Sequence, residues 1–297
     1  MAILSIQSHV CYGHVGNAAA VFPLQRLGFE VWPVHCLQFS NHPGYGDWSG
    51  EIFDARKVAE LLRGIERRGV LSDCEAVLSG YLGTADFGSA ILETVAAVKA
   101  ANPAALYLCD PVMGDAEAGI YVHPGIPAFF CEQALRVADI ITPNLFELGI
   151  LAGQDVDDRE TAITAARRLL NDEKNRLKAV IVTSMTAKTA DPANLRKRIG
   201  ILAVTPASVN LVTTPELPFE APLKGTGDAF AALFLGRYLR SSGDIPTALV
   251  ESAASLYAVI QETHRRKSRE LCLIEAQDSI AAPPLNAPLF DVIGITD

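Results

Sequence analysis

Cysteine is sparse in this chain and never paired in a motif. Six of the 297 residues are cysteine (Cys11, Cys36, Cys74, Cys109, Cys131 and Cys272), with no C-x-x-C among them. That excludes a disulfide framework and a cysteine-rich zinc module, and reads as a reduced, intracellular protein. Positive charge is also short: 25 Lys and Arg against 34 Asp and Glu leave a net charge of −9. A nucleic-acid binder is excluded, because no basic surplus exists to neutralise a phosphate backbone. A small phosphorylated ligand, held by a few local groups, is not. No window approaches the ~18–20 apolar residues needed to span a bilayer. The start "MAILSIQSHV" has no basic segment ahead of a long apolar one, so no secretory signal is expected and the location read is cytoplasmic.

Several chemical signatures are missing as well. No G-x-x-x-x-G-K-[ST] occurs, which excludes a P-loop. In "GTGDAF" Phe230 stands where a dinucleotide fingerprint has its third glycine. The six histidines show no zinc-ligand spacing, and His9 and His14 read as ordinary polar contacts near the first turn. No repeat or Gly/Ser linker divides the chain, so residues 1–297 read as one domain.

What is present is an alternation of short apolar runs with longer helical patterns. "AILSIQ" precedes "GNAAAVFPLQRLG", "EAVLSG" precedes "DFGSAILETVAAVKAA", and "DIITPN" leads into "LFELGILAG". Strands spaced by helices predict βαβ units and a mainly parallel sheet, an α/β fold. "RIGILAVT" and "ASVNLVTTP" look like a strand pair. The aromatic, Gly- and Pro-broken segment at about 31–50 is expected to leave the main layer as a flap. Polar residues recur where runs end: Ser8, Gly80-Tyr81, Asp110, Asn144 and Thr183-Ser184. In open parallel sheets ligands bind outside the carboxyl ends of the strands.

"PLKGTGDAFAALFLGRYL" then poses a choice. Gly225, Thr226, Gly227 and Asp228 open an apolar helix, whose unpaired N–H groups and dipole attract anions. Asp228 in the first turn could take the proton of an attacking hydroxyl. The alternative is a plain helix cap. In "LYLCDPVMGD" Asp110 and Asp115 flank a Pro/Gly turn, a pattern that suits Mg2+ held through one or two carboxylates and substrate phosphates. Asn144 and Glu147 lie three apart, which is also the spacing of a capping box. Lys224 stands immediately before the glycines, where its amine could neutralise phosphate or condense with an aldehyde.

Taken in order, "LSIQSHVCYGHVGNAAAVFPLQRLGFEVWPV", "QFSNHPGYGDWSG", "LSGYLG", "CDPVMGD", "DIITPNLFEL", "VIVTS" and "GTGDAF" resemble the pyridoxal kinases of the ribokinase-like superfamily. The match runs from Ala2 to about Tyr238 and covers the C-terminal quarter weakly. The resemblance implies a three-layer αβα sandwich, mostly parallel, with a small flap, usually paired as a homodimer. It implies ATP-dependent phosphorylation of the 5′-hydroxymethyl of pyridoxal, pyridoxine or pyridoxamine. By position, Ser8 would bond the pyridine edge, and Val15, Phe39, His42 and Tyr81 would line or close the ring pocket. Asp110 and Asp115 would sit near magnesium and the ATP phosphates, with Asn144, Thr183 and Ser184 on the nucleotide side. Thr142, Glu147 and Thr183 would lie near a monovalent cation, K+ or Na+. Thr226 and Gly227 would form the anion hole, with Asp228 as the base.

Two positions depart from the family. Pro43 stands where a threonine is usual, and it offers neither a hydroxyl nor a backbone donor. Lys224 stands where many relatives are apolar. The competing readings are a hydroxymethylpyrimidine kinase, which shares the anion hole, and a pyridoxal phosphate carrier with little activity. A nicotinamide dehydrogenase is disfavoured by the missing glycine.

Overall fold

The run "AILSIQSHV" is apolar on both of its faces, as a strand inside a parallel sheet must be. It forms β1 (Ala2–Val10), with Ile3 in one core and Leu4 and Ile6 in the other. The computed structural model describes residues 1–187, 197–285 and 291–295. The further strands are β2 (Glu30–Phe39), β3 (Gly50–Ile52), β4 (Cys74–Ser79), β5 (Leu106–Cys109), β6 (Gly114–Asp115), β7 (Gly119–Ile120), β8 (Ile140–Ile141), β9 (Ala179–Ala187), β10 (Arg198–Val204), β11 (Val209–Pro215) and β12 (Asp291–Ile295). One ten-stranded sheet runs β3-β2-β1-β4-β5-β8-β9-β10-β11-β12, and β6 and β7 make a separate small antiparallel pair. From β2 through β9 every pairing is parallel; β3 at one edge and β10 to β12 at the other are antiparallel.

The helices are α1 (Asn17–Arg26), α2 (Ala55–Arg67), α3 (Phe87–Ala101), α4 (Gly125–Glu132), α5 (Leu145–Ala152), α6 (Arg159–Asn171), α7 (Thr226–Arg240), α8 (Ile245–Arg266) and α9 (Gln277–Ala281). They sort by core. Leu24 of α1, Phe230 and Phe234 of α7, Leu249 of α8 and Ile280 of α9 pack with Ile3, Leu78 and Leu108 on one face. Leu62, Phe87, Phe130, Leu148 and Leu169 of α2 to α6 pack with Leu4, Val77 and Tyr107 on the other. The result is the expected three-layer αβα sandwich, and "RIGILAVT" with "ASVNLVTTP" is the antiparallel pair β10–β11.

The segment expected to leave the main layer needs correction. Its first part is β2, a full member of the central sheet paired along β1. Its end is β3, which extends the same sheet at the edge. Residues 31–39 alternate Val31, Val34, Cys36, Leu37 and Phe39 into the cores, so burying them costs less than exposing them. What projects is the connection 40–49, which contains the 3₁₀ turn Pro43–Tyr45.

The chain leaves β1 for β2 on one side and later enters β4 on the other. That reversal of winding opens a crevice at the carboxyl end of β1. There the β1–β2 register shifts between Gln7 and Ser8, a bulge of the kind that re-aims a side chain.

Candidate active site

Four segments distant in sequence meet at this crevice, and α7 is the first. Gly225 caps it at φ 81°, and a Cβ there would sit 1.7 Å from the carbonyl oxygen of His14. Only glycine fits. No side chain makes a cap hydrogen bond at this helix start. Its first N–H groups remain for an anion. A Cβ on Gly227 would meet nothing within 4 Å, so the space above the helix end is open. Asp228 is half-buried in the first turn, where the backbone N–H groups of Gly16 and of Asp228 itself act on its carboxylate. Burial raises its pKa above the usual carboxylate value, and the two donors oppose that rise.

An acidic group lies beside it. Asp110, at the end of β5, is buried and accepts from the Thr142 hydroxyl at 2.8 Å. Burial, with Glu147 and Asp228 as like charges, pushes its pKa well up. Glu147 is buried in the first turn of α5. Its Oε1 accepts from Met113 N–H at 2.8 Å, and its Oε2 from Asn144 N–H at 2.9 Å. Burial still moves it to about 7. Asn144 closes the capping box by accepting from Glu147 N–H at 2.9 Å, and gives its amide to Gly114 O at 2.8 Å. Asp115 Oδ1 accepts from Glu117 and Ala118 N–H at 2.9 and 2.7 Å and so shapes its own turn. Among the described residues no three His, Cys, Asp or Glu side chains converge as a metal cluster. Hard oxygen donors under mutual repulsion nevertheless suit a magnesium ion bound through one or two carboxylates plus phosphates and waters. Tyr121, which the motifs did not single out, lies in the field of Asp110, Asp115, Glu147 and Asp228; burial and those charges raise its pKa.

On the β1 side, Ser8 is buried, and a Cβ on Gly16 would meet its Oγ at 2.4 Å. The Gly16 backbone therefore packs against Ser8, and its N–H acts on Asp228. Val15 is half-buried at the start of α1, and Tyr81 O accepts from Cys36 Sγ at 3.1 Å. Phe39 stacks with Trp48, ring centroids 4.2 Å apart. His42 Nδ1 accepts from Gly44 N–H at 2.9 Å and holds the turn that exposed Pro43 begins. His42 is depressed by burial and then by Lys224, whose side chain reaches this turn.

The other flank of α7 carries a cavity of about 390 Å³. Thr183, Ser184, Thr226 and Gly227 form its polar end, while Ile199, Leu217, Phe219, Leu223, Leu256 and Ile260 make an apolar body. The β9–β10 register breaks opposite Thr183 and Ser184, and Ser184 takes φ 59°, a left-handed conformation costly for serine. The apolar residues were not anticipated, because none belongs to a motif. Ser8, Asp110 and Thr142 stand at or just past the carboxyl ends of β1, β5 and β8, and Asn144 bridges to Thr183.

The family model described as phosphomethylpyrimidine kinase matches residues 66–271. The chain is 51% identical to pyridoxal kinase PdxY of Deinococcus radiodurans over 284 residues, covering 95% of this chain and 93% of that protein. Identity to pyridoxal kinase PdxY of Rubrobacter xylanophilus is also 51%, covering 97% and 96%. The structure of Leishmania donovani pyridoxal kinase in complex with ADP and pyridoxamine superposes with a TM-score of 0.85 at 30% identity, over 99% of each chain. With its layers, its uncapped α7 terminus and this degree of identity along nearly its whole length, the chain belongs to the pyridoxal kinase family of ribokinase-like proteins.

Proposed function

We propose that residues 1–297 form one kinase domain that transfers the γ-phosphoryl group of ATP to the 5′-hydroxymethyl of pyridoxal, and of pyridoxine and pyridoxamine, in vitamin B6 salvage. The observation that carries this reading is the α7 terminus: N–H groups left without a cap, open space above Gly227, and a carboxylate in the same turn. Asp228 takes the proton of the alcohol, and Gly225, Thr226 and Gly227 hold the transferring group. The desolvation that raises Asp228 strengthens it as a base. Ser8, Val15, Phe39, His42, Pro43, Tyr81 and Lys224 lie on the alcohol's side, and Asn144, Thr183 and Ser184 on the nucleotide's. The half-apolar cavity suits a purine, with its polar end toward the phosphates. Asp110, aided by Asp115, would hold magnesium, which supplies charge neutralisation on the phosphates. Thr142, Glu147 and Thr183 would hold a monovalent cation. The enzyme is read as a cytoplasmic homodimer; no helix among the described residues is long and apolar enough to cross a membrane.

The test offers the purified protein Mg-ATP with each B6 vitamer alone, and the 5′-phosphate is sought by mass. The family model's description supports a second reading, hydroxymethylpyrimidine as the alcohol. Offering both alcohols separates the two: preferential turnover of the pyrimidine would replace the first.

A further inference from the structure

Glu270 lies in the loop after α8, beyond Tyr238, in a stretch that carries none of the quoted motifs. Its carboxylate joins two segments more than two hundred residues away. Oε1 accepts from the Tyr45 hydroxyl, in the turn of the projecting connection. Oε2 accepts from the backbone N–H of His14 at 3.0 Å. The carboxylate is closely fitted, since a Cβ on Gly13 would come within 2.5 Å of Oε2. Its backbone is braced: Glu270 N–H donates to Ser268 Oγ at 3.0 Å, and that hydroxyl donates to Glu270 O at 2.7 Å. The Arg269 guanidinium lies 5.6 Å above the Tyr45 ring centroid. Beyond His14 the contacts continue into the α7 turn, because His14 O faces Gly225, and Gly16, two residues further on, has its N–H placed where it lowers the pKa of Asp228.

We infer that Glu270 is a positioning residue: it latches the 40–49 connection to the 11–16 loop over the alcohol, and through that loop sets Gly16 against Asp228. The inference rests on the proposed kinase reading for its consequence, not for its geometry. A surface ion pair would contribute little. Glu270 instead accepts from a hydroxyl and a backbone N–H, contacts that a charged acceptor makes strong and directional. His42, one residue before the flap's proline, lies in the field of both Glu270 and Lys224, so the latch sits on the alcohol's side rather than the nucleotide's.

The experiment uses the full chain and four proteins: wild type, Glu270→Ala, Tyr45→Phe and the double variant. With Mg-ATP saturating, Glu270→Ala is expected to raise KM for pyridoxal about tenfold or more, the loss of one to two charge-assisted hydrogen bonds. Tyr45→Phe raises it less, and the double variant is no worse than Glu270→Ala alone. KM for ATP stays within about twofold, because the nucleotide flank makes none of these contacts. An equal rise in both KM values with a lower Tm, or additive Tyr45 and Glu270 effects, would overturn the latch. Amide hydrogen exchange needs no substrate and separates the latch from the kinase reading. Glu270→Ala should speed exchange within 11–16 and 40–49 and spare α3. Unchanged exchange there sinks the latch even in an active enzyme. An inactive wild type with the expected exchange pattern refutes only the alcohol.

Discussion

Asp228, the proposed base, sits where a helix cap could also sit. Its carboxylate is acted on both by its own N–H and by that of Gly16, while no side chain makes a cap hydrogen bond at the helix start. Asp228→Asn keeps the size and the capping ability but removes the basic oxygen. Its kcat should fall by at least about 10²–10⁴-fold, with KM for ATP little changed. Undiminished turnover would return Asp228 to an ordinary first-turn residue. Pro43 is the second position of consequence. It begins the turn that His42 closes through Gly44 N–H, and it is exposed toward the alcohol's side. Pro43→Thr restores a hydroxyl, and one neutral hydrogen bond of about 0.5–1.5 kcal/mol should lower KM for pyridoxal a few-fold to about tenfold. A higher KM would show instead that proline's restriction of the turn matters more.

Between elements, polar atoms buried where β1, β2 and α1 meet hold the crevice in register. Ser5 Oγ donates to Asn17 Oδ1 at 2.7 Å, Gln7 Nε2 donates to Ser5 Oγ at 3.0 Å, and Asn17 Nδ2 donates to Val34 O at 3.1 Å. His35 Nδ1 lies 3.0 Å from Asn17 Nδ2, and its ring stacks on His9 at 4.3 Å. Burial, with His9 beside it, lowers His35 to about 4. A base depressed on folding contributes stability that is present above its unfolded value of 6.5 and is lost as pH falls toward about 4. Over that window the wild type should lose about 1 kcal/mol more than His35→Gln, the shift being discounted for the ring's half-exposed position, measured as denaturant midpoints at pH 7 and pH 4.5. Parallel losses in the two proteins would show that the imidazole does not set the acid limit. The bulge at Ser8 lies just beyond this network, so loosening these atoms disturbs the alcohol side before the sheet itself.

At the scale of the whole molecule, the cavity proposed for the nucleotide is assembled from β9, β10, β11, the α7 start and α8. Ile199 sits at its edge with 38% of its surface exposed, so a charge there is tolerated by the fold. Ile199→Asp should raise KM for ATP about 3–10-fold by removing apolar contact of roughly 1 kcal/mol and adding repulsion to phosphate. KM for pyridoxal should hold, since that pocket lies across α7. A matching rise in both would mean that the cavity is not the nucleotide's. Asp139 accepts from Tyr107 N–H at 2.8 Å and pairs with Lys99 at 2.7 Å and Lys178 at 3.1 Å, joining β5, α3 and the entry to β9 away from the site.

By itself the sequence determined the βαβ order, the glycine-framed α7 start, the Asn144–Glu147 box and the polar residues along the strand ends. These are short-range: periodicity, dihedral demands and caps act within a few residues, so their signals are written locally. Only the tertiary structure decided that 31–39 is a central strand, because strand and flap share local propensities and burial against β1 chooses between them. The same holds for Tyr121 in the field of the acids, for the apolar wall shared by β10, the loop after β11 and α8, and for Glu270 against Tyr45 and His14. Each joins residues that no local pattern links, and only burial and charge across the folded sheet select them.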